Sequence, residues 1–180
     1  HGWELVLLGM FCVVFAFLYT TVLSYQGWGD LLVLMFFGFV PVGGTYYVQA
    51  YTITADVMVA SLISGLVTDT LLIVNNYRDR EQDALSGKRT LIVRFGEPLG
   101  RYLYLGFAVR NGGDMQGETG VLSFDVTAVL LPFIYLLAHV RTWKRMCEIR
   151  SGKKLNSILG ETSRNMLLMG LLLSAVILAT

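Results

Sequence analysis

"VMVASLISGLVTDTLLIVNNYRDREQD", residues 57–83, decides how this chain folds. It is largely apolar as far as Tyr77, then packs amides, carboxylates and guanidinium groups together. A hydrocarbon core is crossed by roughly 20 predominantly apolar residues, so residues 57–77 are expected to span a membrane. Only helices and closed barrels satisfy their backbone groups in lipid, and a continuous apolar run lacks the alternation of a barrel strand. The segment is therefore expected to be an α-helix, with "NNYRDREQD" (75–83) falling where it meets water.

The polar residues inside this helix share a side. At about 100° per residue, Ser64, Gly65, Thr68, Asp69, Asn75, Asn76, Asp79, Gln82 and Asp83 fall within about 140° of the circumference, Leu72 being the apolar exception. A lipid-facing position cannot hold Asp69 cheaply, so the stripe belongs to a helix lining a wet cavity. It deepens from Asp83 at the rim to Asp69, and the cavity is expected to open towards the cytoplasm.

Working outward, residues 1–24, 31–51, 121–140 and 162–180 are apolar runs of similar length. Of 180 residues, 54% are hydrophobic and only 15% charged, and the mean hydropathy is +0.59. Soluble domains carry about 25% charged residues, which excludes a soluble protein. The fold class expected is an all-α integral membrane bundle of about five or six transmembrane helices, forming a single membrane domain over 1–180. All 14 Lys and Arg residues lie after Tyr77, six of them in 78–101 and seven in 141–164. Positive residues mark cytoplasmic span ends, so both clusters are expected to face the cytoplasm. Residues 144–154, "KRMCEIRSGKK", read as a topology-setting loop beside anionic membrane lipid. A net charge of +1 says little beside this distribution, no nucleic-acid partner is expected, and Cys12 and Cys147 have no metal or disulfide spacing. The first run lacks the basic start of a signal peptide, and a beginning at His1 suggests a fragment or a processed terminus.

Two places break the pattern. In the second run, Pro41, Gly43 and Gly44 free backbone groups that a neighbouring helix or a cavity must satisfy. Further on, "RNGGDMQGETG" (110–120) is glycine-rich and polar, and reads as a loop and an atypical insert. Two cytoplasmic clusters require an even number of crossings between them, yet residues 99–109 are too short to cross unaided. His139 reads as a helix-end residue.

Asp79 and Asp83 stand one helical turn apart and can hold a divalent cation together. Mg²⁺ takes one or two carboxylates plus substrate phosphate oxygens. Arg78, Lys88 and Arg89 can neutralise the remaining charge of a diphosphate, so residues 78–97 read as a cytoplasmic substrate-binding loop. An acid pair alone is also what a solvated helix face presents. The amides before it, the basic residues after it and Asp69 below it point instead to a diphosphate held beside an apolar tunnel, hence a prenyl diphosphate. Stabilising the leaving diphosphate generates an allylic cation that an electron-rich ring attacks. Tyr25, Tyr46 and Tyr47 are candidates to surround that cation.

At these residues the chain resembles a known family. "NNYRDREQDALSGKRTLIVRFG" (75–96) is similar to the second aspartate motif of UbiA-type intramembrane aromatic prenyltransferases. Its amide-rich form, followed by "GKRTL", is most similar to the branch acting on 1,4-dihydroxy-2-naphthoate in menaquinone synthesis. "LYTTVLSYQGWGDLLVLMFFGFVPVGGTYYVQ" (18–49) resembles the same branch, and the likeness returns in "RSGKKLNSILGETSRNML" (150–167). The resemblance implies an all-α fold of nine membrane helices, of which this chain is the C-terminal part, in a bacterial inner membrane with active-site loops cytoplasmic. It implies Mg²⁺ bridging two aspartate motifs, with polyprenyl diphosphate and dihydroxynaphthoate as substrates. Asn76 would join Asp79 and Asp83 at the metal, and Asn75 would join Arg78, Lys88 and Arg89 at the diphosphate. Asp69, Tyr25, Asp30, Tyr46, Tyr47 and Gln49 would lie on the cavity or acceptor side. The family's first aspartate motif has no counterpart here, and its seventh helix should lie near 99–128. A local frameshift would account for the polar segment there. A UbiA-type enzyme for another aromatic acceptor, and a non-catalytic membrane module that binds prenyl lipid, remain alternatives. A transporter would need a repeated partner half.

Overall fold

The computed structural model describes the backbone of residues 2–117 and 126–179, and side-chain surroundings for 3–107 and 133–175. Among the described residues every element is helical. Among these described residues, three helical rods are long and apolar enough to cross a membrane: Trp3–Gln26, Gly29–Ala50 and Ala55–Leu85. The protein is thus an all-α integral membrane protein.

The first rod comprises α1 (Gly2–Leu18), a π-helical segment (Tyr19–Leu23) and α2 (Ser24–Gln26). After a turn at Gly27, the second comprises α3 (Gly29–Val33), a longer π-helical segment (Leu34–Gly43) and α4 (Gly44–Ala50). Pro41 lies inside that π segment. Proline has no N–H to donate into the helix. The Ser64 hydroxyl of the next rod donates to the Phe37 carbonyl at 3.3 Å. A neighbouring helix thus reaches the backbone one turn before Pro41.

The third rod, α5 (Ala55–Leu85), is the axis of the molecule. Thr54 caps its start, its hydroxyl accepting from the Val57 N–H at 3.4 Å. Glycines let the second rod close on it. A Cβ at Gly38 would meet the Ser61 carbonyl oxygen at 2.5 Å, and one at Gly65 would meet Leu34 Cδ1 at 2.6 Å. Small residues at such crossings let backbones approach. With 31 residues, α5 is about 47 Å long, more than a hydrocarbon core of roughly 30 Å. Residues 78–85, expected as part of a loop, are instead its last two turns and stand beyond the apolar stretch. Paired charges let a polar helix continue in water.

Beyond the turn at Gly87 follow α6 (Leu91–Phe95), α7 (Glu97–Gly117), α8 (Val126–Ile149) and α9 (Leu155–Ala179). Residues 110–117, expected as a loop, continue α7 to Gly117. At 21 residues α7 reaches about 32 Å, long enough to cross a bilayer by length though not by composition. Residues 118–125, which hold the end of the polar segment and the start of the 121–140 run, lie outside the described residues. The core joins α5 to the C-terminal helices through Ile73, Val74, Tyr77, Ile92, Tyr104, Met146, Leu155 and Ile158.

His139 is no helix-end residue. It sits inside α8 and is fully buried. Its Nε2 lies 2.8 Å from the Tyr104 carbonyl oxygen, and its Nδ1 lies 3.3 Å from the Tyr135 hydroxyl. An imidazole protonated on Nε2 donates to that carbonyl and accepts from Tyr135, so both nitrogens are satisfied. A buried polar group needs such partners, and here they tie α7 to α8.

Candidate functional site

The site forms where α5 leaves the apolar layer and the 86–90 turn folds back on it. Arg78 donates from Nε and Nη2 to the two oxygens of Asp79, both at 2.6 Å, and from Nη1 to Asn156 Oδ1 on α9 at 3.0 Å. The hydrogen bonds from Arg78 hold the Asp79 carboxyl below its ordinary range. One turn on, Lys88 Nζ lies 3.4 Å from Asp83 Oδ2. The turn that returns Lys88 is closed by its own N–H, which donates to the Asp83 carbonyl at 2.9 Å. Each acid of the motif is thus matched to a cation of the same motif.

That turn docks on the hinge between the first two rods. The Arg89 N–H donates to the Tyr25 carbonyl at 2.8 Å, and Arg94 Nη2 donates to the Gln26 carbonyl at 2.7 Å. Between them opens a polar cleft lined by Tyr19, Ser24, Asp30, Asn76, Lys88 and Thr90, of about 10 Å³. That is room for one water molecule. Beside it runs an apolar cavity of about 580 Å³ between the three rods. Phe15, Phe36, Phe37 and Val40 form much of its wall, while Thr68 and Asn75 present the stripe of α5 to it. Tyr19 and Leu72 line both spaces, so they mark the junction of polar cleft and apolar cavity.

The residues expected from sequence divide accordingly. Asn75, Asn76, Asp30 and Lys88 line one space or the other. Asp79 and Asp83 stand at the α5 end, paired with Arg78 and Lys88. Arg89 is exposed and contributes its backbone to the docked turn. Tyr25 is exposed and supplies the carbonyl that holds Arg89. Tyr46, Tyr47 and Gln49 lie on α4 at the other end of the second rod, and line neither space. The Gln49 side chain donates back to the Thr45 carbonyl at 3.1 Å. Tyr19, Ser24 and Thr90 escaped the sequence reading, and Leu72 was read only as the apolar exception in the stripe. Only the approach of separate elements brings them together, although the Tyr-Thr-Thr interruption at the end of the first run was a usable signal.

The donor set matches a divalent cation shared with phosphate. Among the described residues no three His, Cys, Asp or Glu side chains gather to hold a metal by themselves. Two carboxylates one turn apart are the kind of donors Mg²⁺ takes when substrate phosphate oxygens and water complete its shell.

Comparison with known proteins gives the family. The model of the UbiA prenyltransferase family matches residues 1–155. A 1,4-dihydroxy-2-naphthoate octaprenyltransferase of Haemophilus influenzae is 38% identical over 142 residues, covering 71% of this chain and 46% of that protein. Its namesake from Mycobacterium tuberculosis is 33% identical over 175 residues, 93% of this chain and 57% of that protein. A 2-carboxy-1,4-naphthoquinone phytyltransferase of Synechocystis is 27% identical over 130 residues, 72% of this chain and 36% of that protein. The chain therefore spans about half the length of the curated relatives it matches. No solved structure matches it. With 155 of its residues on the family pattern, the chain belongs to the UbiA prenyltransferase family.

Proposed function

We propose that this chain carries the second-motif half of a prenyl diphosphate site, and that the protein it belongs to transfers a polyprenyl group to 1,4-dihydroxy-2-naphthoate in menaquinone synthesis. The observation that carries the reading is the shared wall of Tyr19 and Leu72, which joins a polar cleft to an apolar cavity of about 580 Å³. A ligand with an anionic head and a hydrocarbon tail needs that combination. The naphthoate acceptor is supported by the names of the relatives.

Asp79, Asp83 and Asn76 would hold Mg²⁺, and Asn75, Lys88, Arg89 and Arg78 would hold the diphosphate. Once bound, Mg²⁺ supplies positive charge to the leaving diphosphate oxygens. Lys88 adds a point charge from the turn. Arg78 fixes the rotamer of Asp79 through its two hydrogen bonds, so that the carboxylate is preorganised. The apolar cavity keeps water from the allylic carbon. Tyr19, at the junction, offers its ring face to developing positive charge. Tyr25, Tyr46, Tyr47 and Gln49 lie outside this junction. The motif loops would face the cytoplasm of a bacterial inner membrane, in line with the two basic clusters after Tyr77.

The test is Asp79→Ala in the complete gene product. Transfer from polyprenyl diphosphate to dihydroxynaphthoate should fall by at least a hundredfold, with the melting temperature nearly unchanged. Wild-type turnover in that variant would overturn the assignment.

A further inference from the structure

The acid motif is fastened to a helix far along the chain. On the stripe of α5, Asp69 is buried and lines neither cleft nor cavity, and Asp83 faces Lys88 on the following turn. Asp79 is joined, through Arg78, to α9. Arg78 gives Nε and Nη2 to the Asp79 carboxylate, both at 2.6 Å, and Nη1 to Asn156 Oδ1 at 3.0 Å. A guanidinium only donates, so the Asn156 amide presents its oxygen. Because the guanidinium fork is planar and rigid, an acceptor at one edge fixes the edge offered to the carboxylate. Arg78 keeps further N–H groups for an incoming oxyanion.

Asn156 is itself held in place. Its N–H donates to the Lys153 carbonyl at 3.1 Å, in the turn that begins α9. Leu155 before it and Ile158 after it are fully buried, in one core with Ile73, Val74 and Tyr77 of α5. Tyr77 directly precedes Arg78, so apolar packing and the hydrogen bond act on adjacent residues of α5. The Asn156 side chain is exposed, and packing gives no reason for an amide there. It lines neither the cleft nor the cavity. We propose that Asn156 is a positioning residue: by holding the Arg78 guanidinium it sets the orientation of the Asp79 carboxylate. The proposal rests on the prenyltransferase reading for what Asp79 holds, and adds a residue that acts on it from 78 positions along the chain. A carboxylate already oriented loses less freedom when a cation arrives.

Mn²⁺ binding tests this without turnover. The complete gene product in detergent micelles is loaded with a prenyl thiolodiphosphate, whose bridging sulfur resists cleavage. It is then titrated with Mn²⁺, and the EPR signal of the free ion reads the dissociation constant. Asn156→Ala should weaken binding about fivefold, the worth of one hydrogen bond. Asn156→Asp keeps the accepting oxygen and should stay within about twofold of wild type. In an Arg78→Leu background, Asn156→Ala should cost nothing further, since the group it acts through is gone. An asparagine that merely stabilised α9 would cost the same in both backgrounds. Wild-type affinity in Asn156→Ala, weakened binding in Asn156→Asp, or an equal loss in the Arg78→Leu background overturns the proposal. Asp79→Ala and an assay of prenyl transfer separate the two readings. Weaker Mn²⁺ binding in Asp79→Ala with none in Asn156→Ala sinks this proposal alone. Mn²⁺ binding that depends on both residues, in a protein that transfers no prenyl group, sinks the enzymatic reading alone.

Discussion

Gly27 shows how one residue can set a site it does not touch chemically. Its φ of +85° lies in the left-handed region, and a Cβ there would sit 2.4 Å from the Arg89 carbonyl oxygen. An L side chain costs about 1–2 kcal/mol in that backbone conformation before any clash. The clash is with backbone, which a rotamer change cannot relieve. Gly27→Ala should therefore push the 88–90 turn off the hinge and take Lys88 from the cleft. Affinity for prenyl diphosphate should fall about tenfold or more, with a lowered melting temperature, while Gly9→Ala, where a Cβ meets nothing, should change neither. Equal affinity in the Gly27 variant would show that the docked turn does not carry Lys88. At this scale the sequence was legible where chemistry is local. Asp79 and Asp83 can be found because helical spacing alone puts them on one face. Tyr19 and Thr90 cannot, since their shared cleft exists only after the turn at 86–90 has met the hinge at 23–28. Arg78, read as a ligand for diphosphate, is held by Asp79 and Asn156, which gives it a positioning contact in addition.

Between elements, the contact that shapes the cavity is the crossing of the second rod over α5. Ser64 adds a donor to the Phe37 carbonyl one turn before Pro41, and Gly38 and Gly65 bring the backbones together. Removing the hydroxyl in Ser64→Ala leaves the Phe37 carbonyl to π-helical bonding alone, a loss of about 0.5–1.5 kcal/mol. Gly65→Leu forces the rods apart, and overpacking of this kind costs about 1–3 kcal/mol. Unfolding of the purified protein in micelles should rank wild type above Ser64→Ala and Ser64→Ala above Gly65→Leu. A Gly65→Leu protein as stable as wild type would mean that the crossing is looser than these distances require. The need for an outside donor near Pro41 could be read from the sequence. The π winding could not, because it differs from α by one residue in hydrogen-bond register rather than in composition. The polar residues at 110–117 misled in the opposite way: their glycines favour a loop, yet the helix begun at Glu97 carries on through them.

Across the whole molecule, the two sides of α5 do different work. On one side, α7, α8 and α9 are fastened to each other by buried polar pairs. The Tyr104 and Thr162 hydroxyls are 2.9 Å apart, and the Asn165 amide donates to the Thr142 hydroxyl at 3.0 Å. On the other side, the first and second rods meet α5 through glycine and apolar contacts that leave the cavity between them. Polar networks specify one arrangement, whereas apolar walls accept chains of varied conformation. A prenyl tail is therefore expected on the side of the first two rods. A polyprenyl diphosphate bearing a photoreactive diazirine in its second isoprene unit locates it. Irradiation should label Phe15 of the first rod, or Phe36 or Val40 of the second, which face the same space. Asp79→Ala should reduce the yield by weakening the head-group grip, and excess unlabelled ligand should suppress it. Labels confined to α8 and α9 would place the tail outside this cavity and break the link between the acid motif and the apolar space beside it.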